Sequence, residues 1–391
     1  MHDNVVSAMT RQLQFGAANI GGHYRSSERC LSITASARKA AADLFRADPT
    51  EITFGNNMTT LTFHLAHAIA ADTFEQGDNV VLSSLDHDAN VGPWVRLAKD
   101  YGVEVRWIPV KTPDCNLDMN ALDALVDSRT KLIAGGFASN AVGSVNDVSK
   151  MCSVAREIGA LSFVDAVHYA PHAILDVIEV GCDFMACSPY KFFGPHSGLL
   201  YGRKDIMKRL RAFKIRPSSD ELPSAANFEL SRWELGTQNF EALAGVEACI
   251  DYVGSIGERF GGSSGASTRR ERLVSAWSLV EEHERDLKIQ FLRGATSVPG
   301  LCVYGIDDID RIDERTATFA VSVDGFEPDH LVTKLCERGI FCTSGNHYCT
   351  FWEKSLGLSN DDGAARLGFL HYNTIEEVDR ALEALESVSN I

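Results

Sequence analysis

The chain has 391 residues, of which 45% are hydrophobic and 23% charged, with a formal net charge of −16. This length exceeds what one hydrophobic core usually supports, so the sequence predicts a large domain with a smaller companion. The negative charge is spread along the chain, which argues against nucleic acid or an anionic membrane surface as the main partner.

The apolar stretches and the cysteines indicate the class and compartment of the protein. No apolar stretch reaches the ~20 residues of a membrane span, and the first residues, MHDNVVSAMTRQ, lack the apolar core of a signal peptide. We therefore expect a cytoplasmic protein with no membrane partner. The ten cysteines show no CxxC pair and no metal-ligand spacing. Buried free thiols such as Cys182 and Cys187 are the favoured interpretation, and no metal site is expected.

From about Thr53 to Gly202, short β-rich runs alternate with amphipathic helical stretches. This alternation is typical of a parallel sheet covered by helices. Leu61, Leu65 and Ile69 form one apolar stripe of a helix that begins just after a Gly-Asn-Asn turn. The candidate strands are Asn79–Leu82, Lys131–Phe137, Leu161–Val164, Phe184–Cys187 and Gly198–Tyr201.

The pattern changes after the stretch GGSSG at residues 261–265, which is either a linker or a helix-connecting loop. Thr318–Val323 alternates like a half-buried strand, and Pro328–Arg338 is a predicted helix that Gly339 ends. Thr374 and Glu377 form a capping box for a last helix. We therefore predict a large domain over residues 15–260 and a small α/β domain over 261–391, with residues 1–14 packing on the small domain.

The strongest local signal is the segment SPYKFFGPH at residues 188–196, which directly follows a predicted buried strand. Its lysine, Lys191, lies at the carboxyl end of a parallel strand, where open α/β sheets build ligand sites. Alone, this lysine is equally compatible with the start of a surface loop.

A second strand end supplies a carboxylate. Asp165 closes the apolar run Leu161–Val164, and His168 follows three residues later. An acidic residue at such a position needs a partner, and the protonated pyridine nitrogen of pyridoxal 5′-phosphate is one. That charge makes the ring an electron sink once a lysine has formed a Schiff base with the cofactor.

Two further segments are candidates for the same site. Residues 54–60, FGNNMTT, precede a helix whose free amides and hydroxyls suit a phosphate, although an ordinary helix cap is an equal alternative. His87 follows another strand, where its ring can stack on a cofactor or serve structure alone.

Together these ordered motifs resemble the class V aminotransferases, in particular the cysteine desulfurase-like branch. The resemblance extends from NIGGHY at residues 19–24 to HYNT at residues 371–374. It implies fold type I of the pyridoxal phosphate enzymes, with a mainly parallel central sheet between helices and a smaller C-terminal α/β domain.

The resemblance also implies roles by position. Lys191 would be the Schiff-base lysine, Asp165 would bind the pyridine nitrogen and His87 would stack on the ring, which makes these three the catalytic candidates. His168 and Asn140 would lie near the ring hydroxyl. The remaining cofactor-binding candidates, at the phosphate end, are Met58, Thr59, Ser188 and Tyr190.

Three more positions concern the partner and the substrate. The segment ELGTQN at residues 234–239 resembles the loop that lends a threonine to the neighbouring subunit, so Thr237 implies a homodimer with shared active sites. Arg366 lies where the family keeps its substrate-carboxylate arginine, a task for which a planar guanidinium is suited. Asn19 is a further substrate-binding candidate.

The segment GIFCTSGNHYC at residues 339–349 departs from the desulfurase pattern. An ungapped match places Tyr348 where the reactive cysteine belongs, and Cys349 comes one residue late. Neighbouring side chains of an extended segment point in opposite directions, so the offset weakens persulfide chemistry. Both residues remain substrate-binding candidates. The chain also begins almost at the segment that contains Asn19, without the strand and turn that precede it in relatives.

We therefore predict a pyridoxal phosphate-dependent lyase that cleaves the carbon–sulfur bond of cysteine or an S-substituted cysteine. The alternatives are a decarboxylase or decarboxylating deaminase, a cysteine desulfurase acting through Cys349, an aminotransferase and a racemase. A non-enzymatic protein that has kept the pocket is the alternative from another class.

Overall fold

The computed structural model describes residues 1–16, 18–224, 232–262, 268–349, 351–356 and 363–390. Its helices are α1 Asp3–Phe15, α2 Arg25–Phe45, α3 Met58–Thr73, α4 Gly92–Tyr101, α5 Leu122–Leu125, α6 Val148–Ile158, α7 Val177–Val180, α8 Lys204–Arg209, α9 Phe240–Phe260, α10 Arg269–Ala295, α11 Pro328–Glu337, α12 Trp352–Ser355 and α13 Ile375–Ser389. Its strands are β1 Ile52–Gly55, β2 Asn79–Ser83, β3 Glu104–Ile108, β4 Val110–Lys111, β5 Asn116–Leu117, β6 Thr130–Gly136, β7 Leu161–Asp165, β8 Phe184–Cys187, β9 Gly198–Gly202, β10 Leu301–Tyr304, β11 Thr318–Val323 and β12 Ala365–Gly368.

The central sheet has seven strands in the order β1-β9-β8-β7-β6-β2-β3. Strand β9 pairs antiparallel with both of its neighbours, and the other pairs of this sheet are parallel. Helices cover both faces, because the strands are buried on both sides and need apolar cover. The predicted mainly parallel sheet is confirmed. Its five predicted strands are present with ends that differ by at most one residue, and β1 and β3 were not predicted.

The carboxyl ends of β1, β2, β6, β7 and β8 meet at one edge of this sheet. The chain approaches itself closely there at Gly198, the first residue of β9. A Cβ atom added at Gly198 would lie 2.4 Å from the backbone carbonyl carbon of Asn57, at the start of α3. Only glycine therefore allows the turn before α3 to lie against the sheet at this edge.

The small domain contains the antiparallel sheet β10-β11-β12, with α11 and α13 packed beside it. Its core includes Phe291, Phe319 and Leu385. The predicted strand Thr318–Val323 is β11, and the predicted capping box of Thr374 and Glu377 is present at the start of α13. These elements form a small α/β unit in the C-terminal part of the chain.

Helix α10 belongs to two cores. Its first half contributes Leu273 and Trp277 to the core of the large domain, and its second half contributes Leu287 and Leu292 to the small one. Helices α9 and α10 pack against each other. Residues 263–267, which include most of the predicted linker or loop, lie outside the described part. The change between the cores therefore falls inside α10 and not at residue 261.

Helix α1 packs along α9, and its Val5 and Met9 join the core of the large domain. His2 stacks on Tyr252 of α9 with ring centroids 4.3 Å apart. The expectation that residues 1–14 pack on the small domain is wrong, because the apolar face of α1 is covered by α9 instead. Among the described helices, none combines the length and the hydropathy that crossing a bilayer requires.

Candidate active site

A cavity of about 920 Å³ opens where the carboxyl ends of the strands face the small domain. It brings together eleven of the fourteen predicted site residues, namely Met58, Thr59, His87, Asn140, Asp165, His168, Ser188, Tyr190, Lys191, Tyr348 and Arg366. Asn19, Thr237 and Cys349 do not line it. Residues more than 300 positions apart in the chain therefore share one cavity.

Asp165 ends β7 and is buried at the wall of the cavity. In the described part of the chain, its carboxylate receives one hydrogen bond, which Val167 donates from its backbone N–H over 2.8 Å. Burial, together with the negative charge of neighbouring Asp86, raises the pKa of Asp165 to about 7. A carboxylate in this position is stabilised in its charged form by a cationic group in the cavity.

Lys191 lies in a short 3₁₀ helix, Pro189–Phe192, that directly follows β8. Its Nζ lies 5.3 Å from the centroid of the Tyr190 ring. Burial and the positive charge of Arg366 lower the pKa of Lys191, and Asp165 acts in the opposite direction. The lowered pKa favours the neutral amine, the form that can attack a carbonyl or accept a proton.

The N-terminus of α3 forms another wall. Met58 donates its backbone N–H to Oγ of Ser188 over 3.0 Å, and Asn57 caps the helix by accepting from Thr60 N–H over 2.8 Å. Thr59, between them, is exposed and lines the cavity. A helix N-terminus with neighbouring hydroxyls can hold a phosphate group, so this wall matches the predicted phosphate turn.

His87 and His168 are both neutral rings at the cavity. Burial lowers the pKa of His87, and nearby Lys191 lowers it further. Nδ1 of His87 accepts a hydrogen bond from Ala89 N–H at 3.0 Å. Burial also lowers the pKa of His168 well below its ordinary value, and its Nε2 lies 3.3 Å from Oγ1 of Thr316. Each ring is thus held in place by a neighbour and stays uncharged near neutral pH.

Arg366 is fixed by the chain opposite. Its Nη1 donates to the carbonyl oxygen of Asn140 over 2.7 Å, and Nδ2 of Asn140 donates to the carbonyl oxygen of His347 over 2.8 Å. Burial lowers the pKa of Arg366. The remaining guanidinium donors have no hydrogen-bond partner within the described residues, so they can bind a carboxylate in the cavity.

The loop at residues 346–349 decides which side chain faces the cavity. His347 and Tyr348 have φ values of 54° and 61°, and Cys349 donates its N–H to the carbonyl oxygen of Asn346 over 2.9 Å. These features are those of a type I′ turn, whose two central residues need positive φ. A positive φ costs a residue other than glycine roughly 1–2 kcal/mol. Contacts with the surrounding residues must therefore stabilise this turn.

In this turn Tyr348 lines the cavity and is 71% exposed, whereas Cys349 is fully buried in the core of the large domain. The ring of Tyr348 lies 5.3 Å from the ring of His87. The expectation that Cys349 lies at the substrate is therefore wrong for this geometry. The turn, and not strand alternation, points the two side chains in different directions.

Thr237 and Asn19 are exposed outside the cavity. The segment around Thr237 is anchored by Glu234, whose carboxylate lies 2.6 Å from Nη2 of the fully buried Arg38. Leu235, next to it, is 61% exposed. Glu234 thus fixes one end of this segment, while Leu235 and Thr237 are exposed on the surface. Within one chain, neither Thr237 nor Asn19 contributes to the cavity.

Asp86 and Phe341 are among the cavity residues that were not predicted. Asp86 is buried, accepts from Gly136 N–H over 2.9 Å and from Asn90 Nδ2 over 2.7 Å, and has a pKa that burial raises to about 6. Asp86 is an acidic residue that follows an apolar strand, as Asp165 is, and this signal could have identified it. Phe341 lines the cavity with 89% of its surface exposed, and no sequence signal marks it.

Comparison with known proteins identifies the family to which the chain belongs. It matches the family Aminotransferase class-V over residues 1–268 and 272–381. It is 31% identical to the aminotransferase-like protein FGM3 of Gibberella zeae, covering 98% of this chain and 90% of that protein. It is 28% identical to a cysteine desulfurase of Pectobacterium carotovorum subsp. carotovorum, covering 97% and 87%.

A solved structure agrees with these sequence matches. The apo structure of a cysteine desulfurase from Thermococcus onnurineus NA1 superposes with a TM-score of 0.86 and 26% identity, over 99% of this chain and 92% of that one. The fold, the ordered motifs and the sequence matches therefore indicate the same family. The chain belongs to the class V aminotransferases, a family of pyridoxal phosphate-dependent enzymes.

Proposed function

We propose that this enzyme binds pyridoxal 5′-phosphate in the cavity and cleaves the carbon–sulfur bond of cysteine or an S-substituted cysteine. The observation that carries the proposal is the content of the cavity: an amine, a buried carboxylate and an anchored arginine converge, while the loop presents Tyr348 and buries Cys349. The amine, the carboxylate and the arginine suit an amino-acid substrate. The burial of Cys349 leaves the cavity without the thiol that a desulfurase needs at this loop.

The residues present fit the cofactor. Asp165 has an oxygen without a hydrogen bond in the described residues, which can accept from a protonated ring nitrogen. The start of α3, with Thr59, Ser188 and Tyr190, can hold the phosphate, and His87 can lie against the ring. His168 and Asn140 are available for the ring hydroxyl, and Lys191 for the aldehyde.

When bound, the cofactor would withdraw electrons from the α-carbon of the substrate. Arg366 orients the substrate by binding its carboxylate, and this fixes which bond at the α-carbon is exposed to reaction. The amine of Lys191 accepts the α-proton, a task that its lowered pKa favours. The electron pair left behind forms a double bond as the thiolate leaves the β-carbon and takes up a proton.

The net reaction consumes the cysteine conjugate and one water and yields a thiol, pyruvate and ammonia. A desulfurase would instead transfer sulfur to an enzyme thiol and release alanine. Tyr348 has no sulfur to accept it, and Cys349 is fully buried outside the cavity. This contrast supports elimination over desulfuration.

Product identification tests the proposal. The purified enzyme is incubated with cysteine and with S-methyl-cysteine, and pyruvate, alanine, thiol and carbon dioxide are measured. The proposal predicts equal amounts of pyruvate and thiol, with no alanine. Alanine from cysteine would support a desulfurase, and carbon dioxide without pyruvate would support a decarboxylase. Cys349→Ser is the control variant, since elimination does not use that thiol.

We also propose that the enzyme acts as a homodimer in which Thr237 reaches the phosphate site of the partner subunit. Support comes from the exposed tip of the segment at residues 234–239 and from its buried anchor at Glu234. Thr237 does not line the cavity of its own chain, so a role at the phosphate requires a second subunit.

A further inference from the structure

The wall of the cavity beyond Arg366 carries two large aromatic side chains that no other part of the site uses. Phe341 is 89% exposed and Tyr348 is 71% exposed, and both line the cavity. Large apolar groups exposed on the wall of a concave site are typical of ligand recognition, because burying them on binding is favourable.

The loop that bears these aromatic residues is paired with the strand that bears Arg366. Arg366 donates its backbone N–H to the carbonyl oxygen of Thr343 over 2.8 Å, and Ala364 donates to Gly345 over 3.3 Å. A substrate whose carboxylate is bound by Arg366 therefore lies directly beside this loop. Its side chain can extend along the loop toward Phe341 and Tyr348.

The backbone of Tyr348 is fixed in this position by two hydrogen bonds. Asp88 donates its N–H to the carbonyl oxygen of Tyr348 over 2.7 Å, and Asn346 Oδ1 accepts from Tyr348 N–H over 2.9 Å. Its ring contacts that of His87, the residue proposed to face the cofactor. A tyrosine ring that projects from a fixed backbone and has only two side-chain torsions binds a flat apolar group at a low cost in conformational entropy.

The size of the cavity agrees with a bulky substrate. Its volume of about 920 Å³ lies near the upper end of the range that holds drug-sized ligands. A substrate with an apolar group beyond the sulfur can use this volume and bury the exposed rings of Phe341 and Tyr348.

We infer that the enzyme selects cysteine conjugates with an aromatic or bulky apolar group on sulfur, and that Tyr348 and Phe341 form the wall that recognises this group. The inference rests on the proposed lyase function, which it deepens by naming the substrate class. The carboxylate end of the substrate is bound by Arg366, and the sulfur substituent by the aromatic wall.

The first test compares kcat/KM for S-phenyl-cysteine and S-methyl-cysteine, with release of the thiol as the readout. We expect a preference for the phenyl conjugate of roughly tenfold or more, which Tyr348→Ala and Phe341→Ala each reduce about tenfold. Tyr348→Phe keeps the preference because the ring remains. Phe260→Ala is the matched control, an exposed aromatic residue at the end of α9 that does not line the cavity.

The second test separates binding from chemistry. Homophenylalanine and norvaline replace the sulfur of these two conjugates with a methylene group, so neither can lose a thiol. Calorimetric titration of the holoenzyme should show tighter binding of homophenylalanine, again by roughly tenfold, with the preference reduced in Tyr348→Ala and Phe341→Ala.

The outcomes distinguish the two proposals. Equal binding of the two analogues, or a preference that both alanine variants retain, would overturn the aromatic wall. A preference for homophenylalanine together with no thiol release from either conjugate would support the wall and overturn the lyase function.

Discussion

Nη1 of Arg366 donates to the carbonyl oxygen of Asn140 over 2.7 Å, while the side chain of Asn140 holds the carbonyl oxygen of His347. Three segments that are far apart in the sequence are thereby joined at one corner of the cavity. The guanidinium is fixed before a substrate arrives, so the remaining donors meet a carboxylate without a large loss of side-chain entropy.

Replacing Arg366 should therefore affect the substrate more than the cofactor. Arg366→Lys loses the planar pair of donors, and we expect kcat/KM to fall by roughly a hundredfold or more, mainly through KM. The visible absorption of the bound cofactor should be unchanged in Arg366→Lys. Arg338→Lys is the control, because Arg338 is an exposed arginine at the C-cap of α11. Equal kinetics of Arg366→Lys and the unaltered enzyme would remove Arg366 from the substrate site.

The buried carboxyl groups make the stability of the cofactor-free protein depend on pH. In the folded state the pKa of Asp165 is raised from 3.8 to about 7, and that of Asp86 to about 6. The folded protein therefore binds more protons than the unfolded chain between these values. Stability from the protonated forms is present below pH 4 and is lost as pH rises toward 7.

Asp165→Asn isolates the contribution of one carboxyl group. Urea unfolding of the cofactor-free protein at about pH 5 and about pH 7.5 should show that the variant loses less stability than the unaltered chain, by roughly 2–3 kcal/mol. The two carboxyl groups interact, so part of the difference comes from Asp86. An identical loss in both proteins would show that Asp165 titrates normally.

A buried ion pair anchors the segment that carries Thr237. Arg38 and Glu234 lie 2.6 Å apart, with exposed side-chain fractions of 0% and 3%. Arg38→Leu leaves the Glu234 carboxylate buried without its ion pair, so we expect the free energy of unfolding to fall by about 3–5 kcal/mol. The matched control is Arg46→Leu: the Arg46 side chain is 54% exposed and Asp176 keeps Arg270 as a partner, so the loss should be less than about 1 kcal/mol. Urea unfolding measures both.

Strand positions followed from the sequence because buried runs of apolar residues leave few alternatives. Phe184–Cys187 and Thr318–Val323 occur with the predicted ends, and Lys191 and Asp165 share the cavity that their strand ends indicated. The order of the strands and the antiparallel direction of β9 were not predictable from the pattern, since they depend on pairing between distant segments.

The parts of the site that were not predicted also depend on backbone geometry and on contacts between distant segments. Which of Tyr348 and Cys349 faces the cavity depends on a turn with two positive φ values, and neither is a residue that usually marks such turns. The contact of His172, which lines the cavity, with Glu284 joins residues 112 positions apart, with Nδ1 and Oε2 2.7 Å from each other. Local sequence carries no signal for such contacts.

The homodimer proposal has its own test. Leu235 is 61% exposed beside Thr237, so Leu235→Asp should place a charge in the interface and produce monomers in sedimentation experiments. Ile178→Asp on α7, at a position that is 65% exposed, serves as the control and should remain a dimer. A dimer in both variants would place the interface elsewhere.

The account depends above all on one cavity in which Lys191 offers an amine to an aldehyde and Asp165 offers a carboxylate to the same heterocycle. The most direct measurement is borohydride reduction of the protein loaded with pyridoxal 5′-phosphate, followed by peptide mass mapping. The account predicts one reduced cofactor on the peptide that contains Lys191, and no visible absorption band in Lys191→Ala. Cofactor attached to a different lysine, or a band that persists in Lys191→Ala, would contradict it.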